Sequence, residues 1–132
     1  FFTNYIQKIL EQEFESLVDL NIKIIETICR QYFKIDTKIV RQSDLNTSDK
    51  GSGLILEICK ILGAKKYISG LGGKNYLDEN EFKENGIQIN YLENILPGQY
   101  QQMYKKLGFI NDLSALDFIL NVGADWEQHL IL

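Results

Sequence analysis

A glycine-rich run between Ser69 and Asn75 carries the residues of this sequence best suited to bind an anion. The run reads SGLGGKN and follows KYIS, which the pattern predicts to be a short strand. Glycines let backbone amides approach an anion closely, and an ammonium group supplies compensating charge. The sequence therefore predicts an anion-binding loop with amides, a hydroxyl and a cation, which are supplied by Ser69, Gly70, Gly72, Gly73 and Lys74.

This run matches the known phosphate-binding motifs only in part. It is not a P-loop, because no Gly lies five residues before Gly73 and Asn75 follows Lys74 where a Ser or Thr belongs. It is not GxGxxG either, because Asn75 takes the third glycine position. The alternative is a turn that needs positive φ at two or three glycines, and it stays open. A second loop, over residues 42–53, follows another predicted strand, TKIVR, and would lie at the same sheet edge.

Two further groups of polar residues have structural explanations of their own. Asp117 and Asn121 lie four residues apart, so they share a helix face and would orient a polar ligand. The alternative for Asp117 is a role in starting its helix. An acidic cluster indicates a solvated helix face rather than a metal site, because no His or Cys joins it. Its members are Asp78, Glu79, Glu81 and Glu84.

The cysteines and the histidine predict no nucleophilic or redox centre. Cys29 and Cys59 lack CxxC spacing and lie among isoleucines, which is typical of reduced, buried thiols. The single histidine, His129, falls in the tail, so no Cys–His pair or Ser–His–Asp triad is predicted. The sequence predicts no metal site and no cofactor. Four tyrosines are interpreted as core and rim aromatics, namely Tyr76, Tyr91, Tyr100 and Tyr104.

Helices and short strands alternate along most of the chain. Helices are expected over about 4–14, 16–33 and 52–62, from Asp78 to a stop at Gly86, near Tyr104, and from Ser114 onward. Strands are expected at 37–41, 66–69 and 87–91. This order predicts an α/β fold, a small three-layer parallel-sheet domain with βαβ crossovers, Rossmann-like, over residues 1–132. We expect Ile39, Ile68 and Ile89 on three parallel strands, with Ile58 and Leu62 packed on one face.

Length and composition place the chain among ordinary globular domains. It has 132 residues, 45% of them hydrophobic and 24% charged, which excludes disorder, collagen-like sequence and a disulfide scaffold. The net charge is −4 and the basic residues are scattered, so no nucleic-acid partner is predicted. No apolar run is long enough for a membrane span. The chain begins FFTNYIQKIL, without Met or a visible signal peptide, so we expect a fragment of a longer protein.

The stretch LILEICKILGAKKYISGLGGKNYLDENEFKENGIQINY resembles the core of the WbqC-like protein family of bacteria. That family shows a leucine-rich helix, then YLSG, GKDYLD, a Phe and a GI strand. The similarity continues through Tyr100, Gln102 and Phe109 and covers about 17–123. Two positions depart from the pattern, since Leu71 replaces a small residue or Pro and Asn75 replaces Asp. Family members also extend further at the N-terminus, opening with a QPxYxPWxGYF block that is absent here.

The resemblance implies a cytoplasmic bacterial protein that is often encoded with surface-polysaccharide (O-antigen) genes. It implies aminoacyl or acyl transfer to an amino-sugar nucleotide, so the expected ligand is a small molecule such as a nucleotide sugar. It adds Tyr76 to the substrate-binding loop and suggests a second loop of Ser52, Asp78 and Asp117. The positions that match the family pattern are Ser52, Ser69, Gly70, Gly73, Lys74, Tyr76, Asp78, Ser114 and Asp117.

Two functional hypotheses remain open at this point. The first is a transferase, or the C-terminal part of one, whose substrate places a phosphate or carboxylate against the loop at residues 70–74. The second is a non-catalytic binding or assembly module of a polysaccharide-synthesis complex. Its apolar last helix and tail, with Trp126, Leu130 and Leu132, would dock a partner or a second copy. A homo-oligomer and a missing N-terminal half are both compatible with the sequence.

Overall fold

The computed structural model describes residues 2–92 and 99–129. The loop expected at Pro97 and the tail residues Leu130 and Leu132 lie outside that range. Five α-helices and two strands are described: α1 (Phe2–Leu10), α2 (Leu17–Thr27), α3 (Gly51–Ile61), β1 (Lys66–Gly70), α4 (Glu79–Glu84), β2 (Gln88–Leu92) and α5 (Ala115–Val122). A π-helical turn and four 3-10 segments complete them: Ile28–Tyr32, Gln42–Asp44, Leu71–Asn75, Lys105–Leu107 and Gly123–His129. The described residues form two compact units. One consists of residues 40–92, and the other consists of residues 2–39 together with 99–129.

The unit formed by residues 40–92 contains a two-stranded parallel sheet. Its register pairs Ser69 with Tyr91 and Gly70 with Leu92, so the carboxyl ends of both strands lie side by side. The parallel pairing of the strands that carry Ile68 and Ile89 is confirmed, and with it an α/β architecture. Ile89 and Tyr91 are half-buried while their neighbours in β2 are exposed, as the alternating sequence predicts.

The core of this unit lies on one face of the sheet. Its buried residues come from α3, from the segment before α4, from α4 and from the entry to β2: Leu56, Cys59, Leu77, Phe82 and Ile87. The prediction that Ile58 and Leu62 pack there is wrong, because a different face of α3 is buried. Leu56 and Cys59 face the core, and Leu62 is half exposed. From Leu54 to Ile61 only Glu57 and Lys60 are polar, so most of this helix's circumference is apolar and its periodicity does not single out the buried positions.

Turn chemistry ends the helices where the sequence predicts. Gly63 (φ +65°) follows α3 and Gly86 (φ +72°) follows α4, both in the left-handed region that favours glycine. The Ala64 amide donates to the Cys59 carbonyl at 2.8 Å, which closes the end of α3. α3 begins at Gly51, one residue before the expected start, so Ser52 lies in its first turn and is not its N-cap.

The third predicted strand, TKIVR, is absent from the described residues. Positions 37–41 run as an irregular segment that pairs with no described strand, and Ile39 is exposed. Arg30 supplies part of the reason, because its guanidinium donates to the Ile35 carbonyl and, at 2.6 Å, to the Thr37 carbonyl. A β-branched sequence forms a strand only where a neighbouring strand offers a ladder. The described sheet therefore has two strands.

The unit of residues 2–39 and 99–129 is helical. α1 contacts both α2 and α5. The buried side chains of this unit are Ile9, Tyr32, Tyr100, Phe118 and Ile119. Ser16 caps α2 by accepting the Asp19 amide at 3.2 Å. The second helix was expected to run unbroken to Phe33, but it changes to a π-helical turn at Ile28. Among the described residues, no helix is long and apolar enough to cross a bilayer.

Candidate functional site

The glycine-rich loop leaves the carboxyl end of β1 as a single 3-10 turn, Leu71–Asn75. Ligands of open parallel sheets commonly bind outside this end of the strands. None of Gly70, Gly72 and Gly73 has positive φ, so the alternative of a left-handed turn does not apply to this loop. A Cβ built on Gly70 or Gly72 meets no atom within 4 Å. These two glycines therefore border open space without a conformational requirement.

Gly73 has a different role, because it packs against Ser69. A Cβ at this position would overlap Ser69 Oγ and come within 3.0 Å of Leu77 Cδ1. Ser69 is buried and its hydroxyl donates to the Gly70 carbonyl at 3.0 Å. Both residues therefore support the loop from inside, while the backbone of Gly70 and Gly72 is on its open side.

The Lys74 ammonium lies over the ring of Tyr91, 5.2 Å from the ring centroid. The Tyr91 hydroxyl in turn donates to Glu79 Oε1 at 2.8 Å. Among the described residues, Lys74 takes part in no ion pair. A cation held by a ring retains its charge for a ligand, since the ring contributes only a quadrupole.

Three tyrosines lie together near this loop. Burial raises the pKa of Tyr67, and the nearby hydroxyl of Tyr76 raises it further. Burial also raises the pKa of Tyr91, and its hydrogen bond to Glu79 acts in the same direction. Tyr76 itself is half exposed, at 55%. The raised pKa values keep Tyr67 and Tyr91 protonated at neutral pH, and the Tyr91 proton is already donated to Glu79.

Sequence reasoning missed Tyr91 and Glu79 as members of this site. It took Tyr91 for a core or rim aromatic and Glu79 for part of a solvated helix face. A signal was present in the sequence, because Tyr91 ends the predicted strand that follows KYIS. Parallel pairing brings the carboxyl ends of the two strands together, and this placed Tyr91 beside Ser69.

Ser52 and Asp78, grouped with Asp117 in the second loop, contact one another. The Asp78 amide donates to Ser52 Oγ at 2.9 Å, and the Asp78 carboxylate accepts the amides of Asn80 and Glu81 at 3.1 Å each. Asp78 is therefore the N-cap of α4, as its spacing to Glu81 predicts. The first amides of α4 are thus already satisfied by a carboxylate of the chain, so this helix start offers no free anion site.

Asp117 belongs to the other compact unit and anchors a hydrogen-bond network there. Its Oδ2 accepts the Tyr100 hydroxyl at 2.7 Å and Gln102 Nε2 at 3.2 Å, and its Oδ1 accepts Asn121 Nδ2 at 3.0 Å. Helix starting does not account for this side chain, because Ser114 caps α5 by accepting the Leu116 amide. Burial raises the pKa of Tyr100, and the Asp117 carboxylate raises it too.

A small cavity of about 160 Å³ adjoins this network. Gln102 lines this cavity. Its Nε2 donates to the Ile110 carbonyl and its Oε1 accepts the Ile110 amide, at 2.9 Å each. The network's polar atoms are therefore largely committed to holding the segment before α5, and it functions as a structural brace.

The two thiols and the histidine lie in three different elements. Cys59 is buried in the core and burial raises the pKa of its thiol, as the sequence predicts. Cys29 is free but only half-buried, so the prediction of a largely buried thiol is wrong in degree there. His129 lies in the last 3-10 segment, with its ring 6.4 Å from that of Phe118. No group of three metal-ligating side chains occurs in residues 2–92 and 99–129.

The chain is similar in sequence to one known protein family over nearly its whole length. The profile of the WbqC-like protein family matches residues 1–129. The chain therefore belongs to the WbqC-like protein family.

A curated relative is an uncharacterised protein, Rv1507c, of Mycobacterium tuberculosis (strain ATCC 25618 / H37Rv). It is 29% identical over 121 residues, which make up 92% of this chain and 51% of the relative. The chain thus spans about half the length of the curated relative that it matches. No solved structure matches the chain.

Proposed function

We propose that this chain is the C-terminal part of a transferase that binds a nucleoside diphosphate amino sugar. The transferred group would be an acyl or aminoacyl group, which passes to the amine of the sugar. Surface-polysaccharide (O-antigen) synthesis in the cytoplasm is the setting that the family resemblance implies. The proposed binding residues are those of the loop: Ser69, Gly70, Gly72, Gly73, Lys74 and Tyr76.

One observation carries the proposal: Gly70 and Gly72 border open space at the carboxyl end of a parallel strand pair, beside a cation. Neither glycine has positive φ, and neither would clash if it carried a side chain. A close approach of a ligand to the backbone is a reason for glycine that remains when strain and crowding are absent. The amides would bind the diphosphate and Lys74 would neutralise part of its charge.

Tyr76 and the support of the loop complete the proposed role of this region. Tyr76 is half exposed beside the loop and would donate its hydroxyl to the sugar or to a phosphate oxygen. Ser69 and Gly73 would hold the turn in shape, since both lie on its inner side. In this proposal the groups that move protons during transfer come from the part of the longer protein that this chain does not span.

We also propose that further strands of a three-layer, Rossmann-like sheet come from that other part. Parallel sheets are normally covered on both faces. Here α3 and α4 contribute the core on one face, whereas Ile68 and Leu92 on the other are 60% and 51% exposed. The same exposed face supports the second candidate function, a non-catalytic assembly module that docks a partner or a second copy.

Binding measurements distinguish the two functions. Calorimetry and thermal shift with UDP-N-acetylglucosamine and with inorganic pyrophosphate should show binding and a raised Tm for the transferase part. Neither ligand should change the Tm of a module that docks only proteins.

Lys74→Ala tests the loop directly. Loss of one charge-assisted contact costs about 1.5–3 kcal/mol, so affinity should fall roughly 10- to 150-fold while the Tm changes little. Lys66→Ala is the matched control, because Lys66 begins β1, at the end of that strand opposite to the loop, and its replacement should leave affinity unchanged. Equal binding by Lys74→Ala and the parent chain would place the site elsewhere.

A further inference from the structure

We propose that Tyr91 is a positioning residue for Lys74, and that its ring holds the cation beside the glycine loop. This inference rests on the proposed function, because it concerns the same anion site. It assigns a role to a residue of β2 that the loop sequence does not contain.

Register puts Tyr91 where it can act on the loop. Tyr91 pairs with Ser69, the residue before the first loop glycine, across the parallel strands. Alternate residues of a strand share a face, so Tyr91 and Ile89 lie on the half-buried side. Tyr91 also packs against the hydrophobic core, so its backbone and ring base are held by the sheet.

The two ends of the Tyr91 side chain have separate partners. The ring lies beneath the Lys74 ammonium at 5.2 Å, and the hydroxyl donates to Glu79 Oε1 at 2.8 Å. The packing against the core and the hydroxyl bond both restrain the ring, whose side chain has only two torsions. The chain therefore arranges residues from the loop, β2 and α4 in one line, Lys74–Tyr91–Glu79.

This arrangement matters because a lysine is otherwise a poor fixed charge. Its side chain has high rotamer entropy, and binding a ligand normally costs part of that freedom. The Tyr91 ring restricts Lys74 before a ligand arrives. It competes weakly for the ammonium, because exposed cation–π contacts are far weaker than a bond to a phosphate. The ligand expected here is a diphosphate, whose charge is spread over several oxygens.

The position of Lys74 can be measured without any ligand. An aromatic ring shifts the NMR signals of groups above its face, so the ε-methylene signal of Lys74 should be displaced upfield from those of the other lysines. Assignment uses Lys74→Arg, which removes that signal. Tyr91→Phe keeps the ring and should retain the displaced signal. Tyr91→Leu should move the signal to the position of a solvated lysine.

Binding of inorganic pyrophosphate to the same variants of the full 132-residue chain then tests the consequence. Tyr91→Leu should weaken pyrophosphate binding about 2- to 5-fold, the effect of losing one exposed cation–π contact. Tyr91→Phe should restore affinity close to that of the parent. Glu79→Gln is the matched control, because its amide oxygen still accepts the Tyr91 hydroxyl; both the Lys74 signal and the binding should persist.

Two results would overturn the positioning role. One is an undisplaced Lys74 signal in the parent chain, which decides the matter even if Tyr91→Leu fails to fold. The other is a displaced signal that stays in place in folded Tyr91→Leu. Failure of the proposed function looks different, because the signal would then depend on Tyr91 while neither Lys74→Ala nor Tyr91→Leu altered pyrophosphate binding.

Discussion

The three glycines of the loop differ in what each would tolerate. Gly73 is fixed by contact, since a Cβ there would overlap Ser69 Oγ and meet Ser69 Cβ at 3.2 Å. Gly72 directly precedes Gly73 in the same turn but faces open space. Stability therefore depends on one glycine and, in the proposed function, binding depends on the other.

Alanine substitutions should separate these two roles. Gly73→Ala should lower the free energy of unfolding by about 1–3 kcal/mol, the cost of overpacking a core position. Gly72→Ala should raise it by about 0.4–1 kcal/mol, because alanine restricts the unfolded chain without strain in the folded one. Urea unfolding measures both. Ser69→Ala should partly rescue Gly73→Ala, and additive effects of the two would contradict the packing argument.

The Cys59 thiol should be protected, and its protection should depend on pH. Burial raises its pKa, so at neutral pH it is thiol rather than the reactive thiolate, and a thiol reagent should label it more slowly than half-buried Cys29. Above the ordinary thiol pKa the unfolded chain releases this proton first, so stability should fall as pH rises from about 8 to 10. Cys59→Ala should reduce that fall. Rapid native-state labelling of Cys59 would contradict its burial.

At the scale of the elements, α4 shows how a short helix is held by its ends. It has six residues, too few to be stable alone, and is enclosed by the Asp78 cap and by Gly86 in the left-handed region. Phe82, wholly buried, attaches it to the core. Ser52 of α3 accepts the Asp78 amide and so ties the start of α4 to a second helix.

Removing the cap should therefore loosen α4 by a measurable amount. Asp78→Ala should lower the free energy of unfolding by about 0.5–2 kcal/mol, whereas Asp78→Ser, which retains a capping oxygen, should recover most of it. Ser52→Ala should cost about 1 kcal/mol, because it removes the acceptor of the Asp78 amide. Denaturant unfolding provides the values. No loss in Asp78→Ala would show that the core alone holds the helix.

At the scale of the whole molecule, we propose that the two compact units unfold together as one domain. The unit of residues 40–92 falls near the ~60-residue size at which an independent core is marginal. The other unit is assembled from residues near both ends of the chain, 2–39 and 99–129. Single domains of fewer than about 150 residues usually unfold in one cooperative transition.

The single tryptophan allows a test of that cooperativity. Trp126 belongs to the unit of residues 2–39 and 99–129, so its fluorescence reports that unit, whereas Phe82 belongs to the other. Phe82→Ala should cost about 3–5 kcal/mol and shift the Trp126 transition to lower urea. Ile119→Ala, within the tryptophan's own unit, is the positive control and should shift it by about 2–5 kcal/mol. An unmoved Trp126 transition in Phe82→Ala would show two independent domains.

Local chemistry alone determined much of what the chain builds. Caps at Asp78 and Ser114 and stops at Gly63 and Gly86 lie where the sequence predicts, because capping and left-handed turns depend on residues within one helical turn. The strand that contains Ile68 and the family membership were also predicted from the sequence. These features need no distant partner.

Tertiary structure decided the features that depend on partners far along the chain. TKIVR has the composition of a strand, but no strand of the described residues pairs with it. Arg30 donates to the Thr37 carbonyl at its start and to the Ile35 carbonyl two residues earlier. In α3 it is Leu56 and Cys59 that face the core, and the sequence does not reveal this because most of the helix circumference is apolar. Asp117 bonds Tyr100, and Tyr91 lies under Lys74, across 17 residues in each case. Spacing along the chain carries no record of such contacts, since they arise only when packed elements bring the side chains together.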